Sequence, residues 1–404
     1  MQHLKLLENL YWIGIQDHDL RVFDIVMETK YGTSYNSYLL KDKETVLFET
    51  VKVQFFDEYL AQIQSITSIE NIRYLVVSHT EPDHAGSIEK LLALNKELII
   101  VASPVAIRYL KNIVNVPFES KLVKQGEQLN IGQETLEFIS VPNLHWPDTI
   151  YTYLTEKKTL ITCDSFGSHY AFDDILLSRL NQEAEADYQD ALLQYYLPIF
   201  SPFKSDVLKG IQKIEKYEIN LLCPGHGPVL DTKINEVITQ YKVWSTPEID
   251  SNLLVVVPYT SAYGYTEIMA KTLKEVIVEQ DATIEVELYD LNVLNYETLK
   301  PQLLSRLEKA NAIFIGASTI NKDAVPLVWD LLAHLSPLVH GKKLGGVFGS
   351  YGWSGEAVKY VHERLKQLKL NVLEPVSLCF KPTEEKLQPM KQLGVEIVKK
   401  LNER

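Results

Sequence analysis

Cysteine is scarce in this sequence: three in 404 residues, Cys163, Cys223 and Cys379, with no Cys-x-x-Cys pair among them. That excludes a disulfide framework and a four-cysteine iron or zinc site, and it suits a reducing, cytoplasmic setting. Basic clusters are equally absent. Lysine and arginine number 40 against 53 aspartate and glutamate, a formal charge of −13, and no stretch concentrates cations. A surface that neutralises many phosphates is hard to build from that balance, so nucleic acid and anionic membranes drop out as partners. Long apolar runs are missing too. Segments such as residues 253–257 or 312–317 are short and end in turn residues, far below the roughly 20 residues that cross a bilayer. Residues 1–14 carry acidic and aromatic side chains rather than the basic, apolar, small-residue order of a secretory signal.

What is there reads as two α/β domains, since one core rarely organises more than about 250 residues. Strand-like runs occur at residues 11–15, 36–40, 45–48, 74–77, 98–102, 136–140, 160–163 and 219–223. Helical spacing occupies residues 55–66, 87–94, 104–113 and a long stretch at 187–210, which implies a mixed sheet covered by helices. A polar, proline-bearing stretch, residues 244–250, precedes the apolar run 253–257. The expected domains are therefore 1–248 and 252–404. In the second, apolar runs at 283–288, 312–316, 344–349 and 372–376 alternate with amphipathic helices, the pattern of βαβ units and a parallel sheet.

Residues 78–86 read SHTEPDHAG and place two imidazoles and two carboxylates between His79 and His84. His145, Asp164 and His226 each fall where a later strand should end. A single His or Asp after a strand is ordinarily a cap or turn former, but ligands on loops at one sheet edge can converge without disturbing a core. The order resembles the metallo-β-lactamase superfamily, His-x-His-x-Asp-His followed by His, Asp and His, with Glu81 in place of the second histidine. Zinc hydrolases use imidazole ligands around a redox-silent Lewis acid. Glu81, Asp83 and Asp164 supply hard anionic oxygens instead, which favours a non-haem di-iron centre.

The second domain opens with a strand followed by PYTSAYGYTE at 258–267 and a helix. Hydroxyls and amides at a helix N-terminus hold a phosphate without any basic residue. Two more loops, GASTIN at 316–321 and GSYGWSGE at 349–356, end later strands. Three such loops describe the crevice of a flavodoxin-like sheet, with Trp353 or Tyr351 placed to lie against an isoalloxazine ring.

Over nearly its whole length the chain thus resembles the flavodiiron proteins, also called A-type flavoproteins: a metallo-β-lactamase-like αββα sandwich followed by a flavodoxin-like doubly wound parallel sheet. The resemblance implies that His79, Glu81 and His145 serve one iron, that Asp83, His84 and His226 serve the other, and that Asp164 bridges them. For FMN it implies a phosphate loop of Ser261, Ala262, Tyr263, Gly264, Tyr265 and Thr266. Ser318, Thr319, Ile320 and Asn321 would form the second loop, and Ser350, Tyr351, Gly352 and Trp353 the third. Tyr265 stands where a small polar residue is usual, and Ala317 and Ser318 replace the commoner Ser-Pro. Tyr195 or Tyr196 corresponds to a tyrosine beside the substrate site. Many members carry a histidine where this chain has Asp24, after Arg21, Val22 and Phe23. An aspartate facing the irons is expected to be protonated or turned toward Arg21, with His18 or His169 supplying the missing donor.

The family reduces dioxygen to water, nitric oxide to nitrous oxide, or both. It takes electrons from rubredoxin or another reduced donor and works as a head-to-tail homodimer, alone or within a tetramer. The chain ends at Arg404 soon after the last flavodoxin element, so no donor module is expected within it. The competing readings are a zinc hydrolase carrying a flavodoxin domain, against which Glu81 argues, and a non-enzymatic electron carrier, which leaves the seven ligand candidates without a purpose.

Overall fold

The computed structural model describes residues 3–247 and 252–403, so residues 248–251 of and beside the expected linker lie outside the described residues. The chain divides into two compact units, Met1–Pro247 and Glu248–Arg404.

The first unit stacks two sheets. One has seven strands in the order Leu4–Leu7, Leu10–Trp12, Tyr38–Leu40, Thr45–Phe48, Ile72–Val77, Ile99–Ala102 and Glu119–Leu122. It is antiparallel up to Thr45–Phe48 and parallel from there on. The other has five strands, Gln128–Asn130, Thr135–Ser140, Ile150–Leu154, Thr159–Cys163 and Leu221–Pro224, with only the last pair parallel. Period-two alternation sorts the side chains. Tyr38, Leu40, Val46, Phe48 and Val76 point into the space between the sheets, against Leu136, Phe138, Ile150 and Ile161. Leu39, Leu47, Leu75 and Val77 point the other way, under helices Phe56–Gln64, Ile88–Leu94 and Pro104–Ile113. Helices Glu185–Ile199, Lys204–Ile214 and Ile234–Ser245 cover the outer face of the five-stranded sheet. This is the expected αββα sandwich.

The stretch expected as one helix at 187–210 is two. Pro198 removes an amide donor from the last turn of the first, and Ser201–Phe203 forms a 3₁₀ turn around Pro202 before the second begins.

The main sheet of the second unit is wholly parallel, in the order Glu285–Asp290, Leu254–Tyr259, Ala312–Gly316, Leu344–Tyr351, with two short strands, Asn371–Val372 and Val376–Cys379, sharing the last position. The run expected as one strand at 372–376 is interrupted between these two. Helices Tyr265–Gln280 and Gln388–Asn402 pack on one face, and Tyr296–Lys309, Pro326–Ala333 and Glu356–Gln367 on the other. The sequence order 2-1-3-4-5 reverses direction beside Leu254–Tyr259, where doubly wound sheets open a crevice.

One buried amide ties the sandwich to its functional edge. Asn36 Oδ1 accepts from Trp12 Nε1 at 2.8 Å, while its Nδ2 donates to the Pro224 and Gly227 carbonyls at 2.9 Å each. Asn36→Leu leaves these groups short of a partner in a dry site. It should cost about 2–4 kcal/mol, read as an earlier denaturant midpoint for the first unit with an unchanged slope.

Candidate functional site

Seven side chains meet at one edge of the sandwich. His79 and Glu81 follow strand Ile72–Val77, and Asp83 and His84 lie on the short helix Pro82–Ala85 that Glu81 caps. His145 sits in the connection before Ile150–Leu154, Asp164 follows Thr159–Cys163, and His226 follows Leu221–Pro224. Cys163 has φ of 50°, a left-handed conformation that turns the chain sharply just before Asp164.

The two oxygens of Asp164 divide the group. Oδ2 lies 2.7 Å from His79 Nε2 and 3.0 Å from His145 Nε2, which is itself 3.0 Å from Glu81 Oε2. Oδ1 lies 2.9 Å from His84 Nε2 and 3.4 Å from His226 Nε2, which is 3.0 Å from Asp83 Oδ2. Donor atoms held about 2.1 Å from one cation stand about 3.0 Å apart at right angles, so both halves have the spacing of a coordination shell. Direction agrees with distance. His84 Nε2 and both oxygens of Asp83 are buried and make no hydrogen bond among the described residues, close as they are to other polar atoms. In the other half His79 Nε2 and Asp164 Oδ2 are within hydrogen-bond distance; it is the Asp83 and His84 groups, close together without bonding in a site this dry, that fit a cation between them.

The electrostatics follow from the burial. Burial opposes charge on His84, but Asp83 and Asp164 outweigh it and push its pKa up to about 10. Burial likewise opposes charge on His145, and Asp164 and Glu81 raise it to about 10. Burial wins at His79, lowering it to about 3, and at Glu81, raising it to about 7 against the His145 hydrogen bond. Burial also opposes ionisation of Asp164, yet His84 and His145 hold it well below the usual carboxylate range.

Two supporting residues carried no motif. Glu49 is fully buried, and burial raises its pKa to about 7; its Oε1 accepts from the Ser78 amide at 2.8 Å and so fixes the start of the ligand loop. Trp146 stacks on His79 with ring centroids 5.7 Å apart.

A cavity of about 20 Å³, room for one water-sized molecule, adjoins Glu81, His145, Asp164 and His226. Phe23, Asp24, His169 and Tyr195 close it. The two tyrosines lie in different surroundings, and Tyr195 is the one that lines the cavity. Tyr195 lies edge-on to His169 beside His226, whereas Tyr196 packs on Tyr241 and Trp244, with its hydroxyl 2.8 Å from Ser245 Oγ. Asp24 sits in the turn of the hairpin Val22–Phe23/Met27–Glu28, exposed, with φ of 45°. Of the two states expected for an Asp24 facing the irons, the turn toward Arg21 is not seen among the described residues: Arg21 Nη1 donates to the carbonyls of His18 and Leu20. His169, buried, is the histidine at the cavity, while His18 is exposed and outside its lining.

In the second unit Ser261, Ala262, Tyr263, Tyr265, Thr266, Ser318, Thr319, Ile320, Asn321, Ser350, Tyr351, Gly352 and Trp353 line one cleft of about 430 Å³, joined by Phe380. This is a usual size for a cofactor site. Gly264 is outside the lining. Its φ of 77° starts helix Tyr265–Gln280 from a left-handed residue, so its contribution is the shape of the loop. Thr266 Oγ1 accepts from the Ser350 amide at 3.3 Å, linking the first loop to the third. Trp353 is 83% exposed.

Known proteins share both units. Residues 33–227 match the family described as ODP family beta lactamase, and residues 257–392 match flavodoxin. Flavo-diiron protein FprA2 of Clostridium acetobutylicum is 36% identical over 99% of this chain and 100% of its own length. The chain belongs to the flavodiiron protein family. A protein of Moorella thermoacetica named nitric oxide reductase is 32% identical over 99% of both chains. Among solved structures, rubredoxin oxygen:oxidoreductase from the anaerobe Desulfovibrio gigas superposes with a TM-score of 0.68 at 28% identity, covering 99% of each chain. A flavodiiron protein carries FMN in its flavodoxin domain and a di-iron centre in the other.

Gly225 offers a direct check of how tightly the metal edge is built. A Cβ there would lie 2.7 Å from His84 Cε1 and 3.1 Å from Asp164 Oδ1. Gly225→Ala should therefore displace His84 and lower the iron content by about half, with FMN content unchanged, by elemental and flavin analysis of the purified protein.

Proposed function

We propose that this protein reduces dioxygen to water, nitric oxide to nitrous oxide, or both. The observation that carries the reading is the division of Asp164, one oxygen toward His79, His145 and Glu81 and the other toward His84, His226 and Asp83. In this reading the first set holds one iron, the second set the other, and Asp164 bridges. When bound, a diferrous pair holds two electrons and reduced FMN two more, which matches the four that dioxygen needs to become water.

The chain's own residues set the conditions. Four histidines and three carboxylates, with Asp164 shared between the two sets, suit a metal that changes oxidation state, and Glu81 separates this site from a zinc hydrolase. Phe23 and Ile199 narrow the cavity to a small molecule. Tyr195 and His169 present hydrogen-bonding atoms to that molecule, and Asp24 stands at its rim. In the other unit the loops at 261–266, 318–321 and 350–353 hold FMN, phosphate at the helix start and ring beside Tyr351 and Trp353.

A head-to-tail homodimer completes the electron path, since transfer needs the flavin of one copy close to the metals of another. Exposed apolar side chains mark both ends: Ile25, 93% exposed, with Val22 and Val26 beside the metal cavity, and Tyr263, Trp353 and Phe380 around the flavin cleft. The electron donor is a reduced protein of the rubredoxin kind, as the name of the Desulfovibrio gigas relative states for that protein. No described helix is long and apolar enough to cross a membrane, and we place the protein in the cytoplasm.

Anaerobic stopped-flow of the reduced, iron- and FMN-loaded protein tests the activity: rapid reoxidation by dioxygen without peroxide release, by nitric oxide, or both is expected, and slow reoxidation by each would refute it. For the dimer, a flavin-dead chain altered at Thr266 and Trp353 is mixed with a metal-dead chain altered at His79 and His84. Activity should return only in the mixture; heterodimers without activity would place electron transfer within one chain.

A further inference from the structure

A second cavity, of about 290 Å³, adjoins the metal cavity in the first unit. Thr29, Asp190 and Gln194 line it together with Met27, His169 and Tyr195. The last three also line the 20 Å³ space beside the metal ligands. One layer of side chains therefore separates the two cavities.

That layer is apolar in part and incompletely bonded. Tyr195 is 1% and His169 6% exposed, and neither Tyr195 Oη nor His169 Nε2 has a hydrogen-bond partner among the described residues. Thr33 Oγ1, 2.9 Å from His169 Nδ1, holds the imidazole from its far side, so the free Nε2 is fixed in place. Buried polar atoms are nearly always satisfied, and where no protein group reaches them ordered water does it. A cavity of this size has room for several waters. Its outer end is polar as well: the half-buried Tyr31 has its Oη 2.9 Å from Asp187 Oδ1, 3.2 Å from Asp190 Oδ2 and 2.6 Å from Lys30 Nζ, and those three partners are exposed.

The chemistry needs such a route. Dioxygen takes four electrons and four protons to give two waters, and two nitric oxides take two electrons and two protons to give nitrous oxide and one water. Electrons come from the metals and the flavin, but protons must enter from solvent and water must leave. In the dimer proposed above, the exposed hairpin beside the metal cavity faces the partner's flavin unit, which closes the nearer mouth. We propose that the 290 Å³ cavity is the water and proton inlet of the dinuclear site, with Met27, His169 and Tyr195 as its inner wall. A proton from solvent enters the outer waters; the Tyr195 hydroxyl takes one from that protonated chain as it donates its own to a water or reduced product on the inner side, so the tyrosine and the outer waters both end each transfer neutral. The inlet rests on the functional reading of the metal site, and its test separates the two.

Azide binding to the oxidised, iron-loaded homodimer, followed by its charge-transfer absorbance, probes access without turnover. Gln194 is exposed on helix Glu185–Ile199, and Asp190 lies one turn before it. Gln194→Trp and, separately, Asp190→Trp fill the cavity from outside the core. An inlet governs rates and leaves the equilibrium alone. Azide should associate and dissociate about tenfold more slowly in either variant, with unchanged Kd and iron content, whereas Gln194→Ala should match the parent. Unchanged rates in both tryptophan variants, or a changed Kd with an unchanged association rate, would overturn the inlet. A parent protein that binds azide through a gated inlet yet reduces neither dioxygen nor nitric oxide would refute the functional reading and leave the inlet standing.

Discussion

Asp164 is a carboxylate, 2% exposed, with four imidazoles around it and two further carboxylates behind them. Charges buried this deeply are costly unless they are paired. The side chains answer with protonation: His145 on the Oδ2 side and His84 on the Oδ1 side are both pushed to about 10. Positive charge is thereby called for once on each side of Asp164. In the proposed reading two cations would meet the same demand, each also taking up lone pairs that protons on two histidines leave unused, and would compete with those protons.

The rest of the first unit serves that arrangement. Each ligand stands at the end of a strand or in the turn after it, so the sandwich core can stay apolar while its edge is polar. The core fixes the strands, Asn36 and Glu49 fix the loops, and Gly225 leaves the space that His84 and Asp164 need. The second unit uses the same device: three loops at the carboxyl ends of parallel strands form one cleft with no charged side chain in its lining among the described residues.

The convergence of the candidate metal ligands was legible in the sequence because these residues are chemically rare in combination. His79, Glu81, Asp83 and His84 fall within six positions, and no packing requirement produces that spacing. The flavin loops were legible as a set of three, although the contribution of Gly264 is conformational and only its φ shows it. Strand Ile150–Leu154 escaped because it is buried on both faces and reads IYTYL, without the alternation that marks a half-buried strand. Strand Glu119–Leu122 escaped for the opposite reason: all four residues are exposed, and only its parallel partner Ile99–Ala102 makes it a strand. Glu49 and Trp146 lie outside any motif, since their effect comes from contacts across the fold. Asp24 was visible as a departure from the family pattern, but its exposure and its independence from Arg21 depend on the hairpin turn.

The central claim is that Asp164 bridges two irons. Electron paramagnetic resonance of the iron-loaded protein after one-electron reduction of the metal site tests it most directly. A bridged ferrous–ferric pair is antiferromagnetically coupled and gives a half-integer-spin signal that belongs to neither ion alone, lost in Asp164→Asn. Signals of isolated high-spin ferric ions in the parent protein, or full occupancy by zinc with no metal-centred signal, would contradict the account.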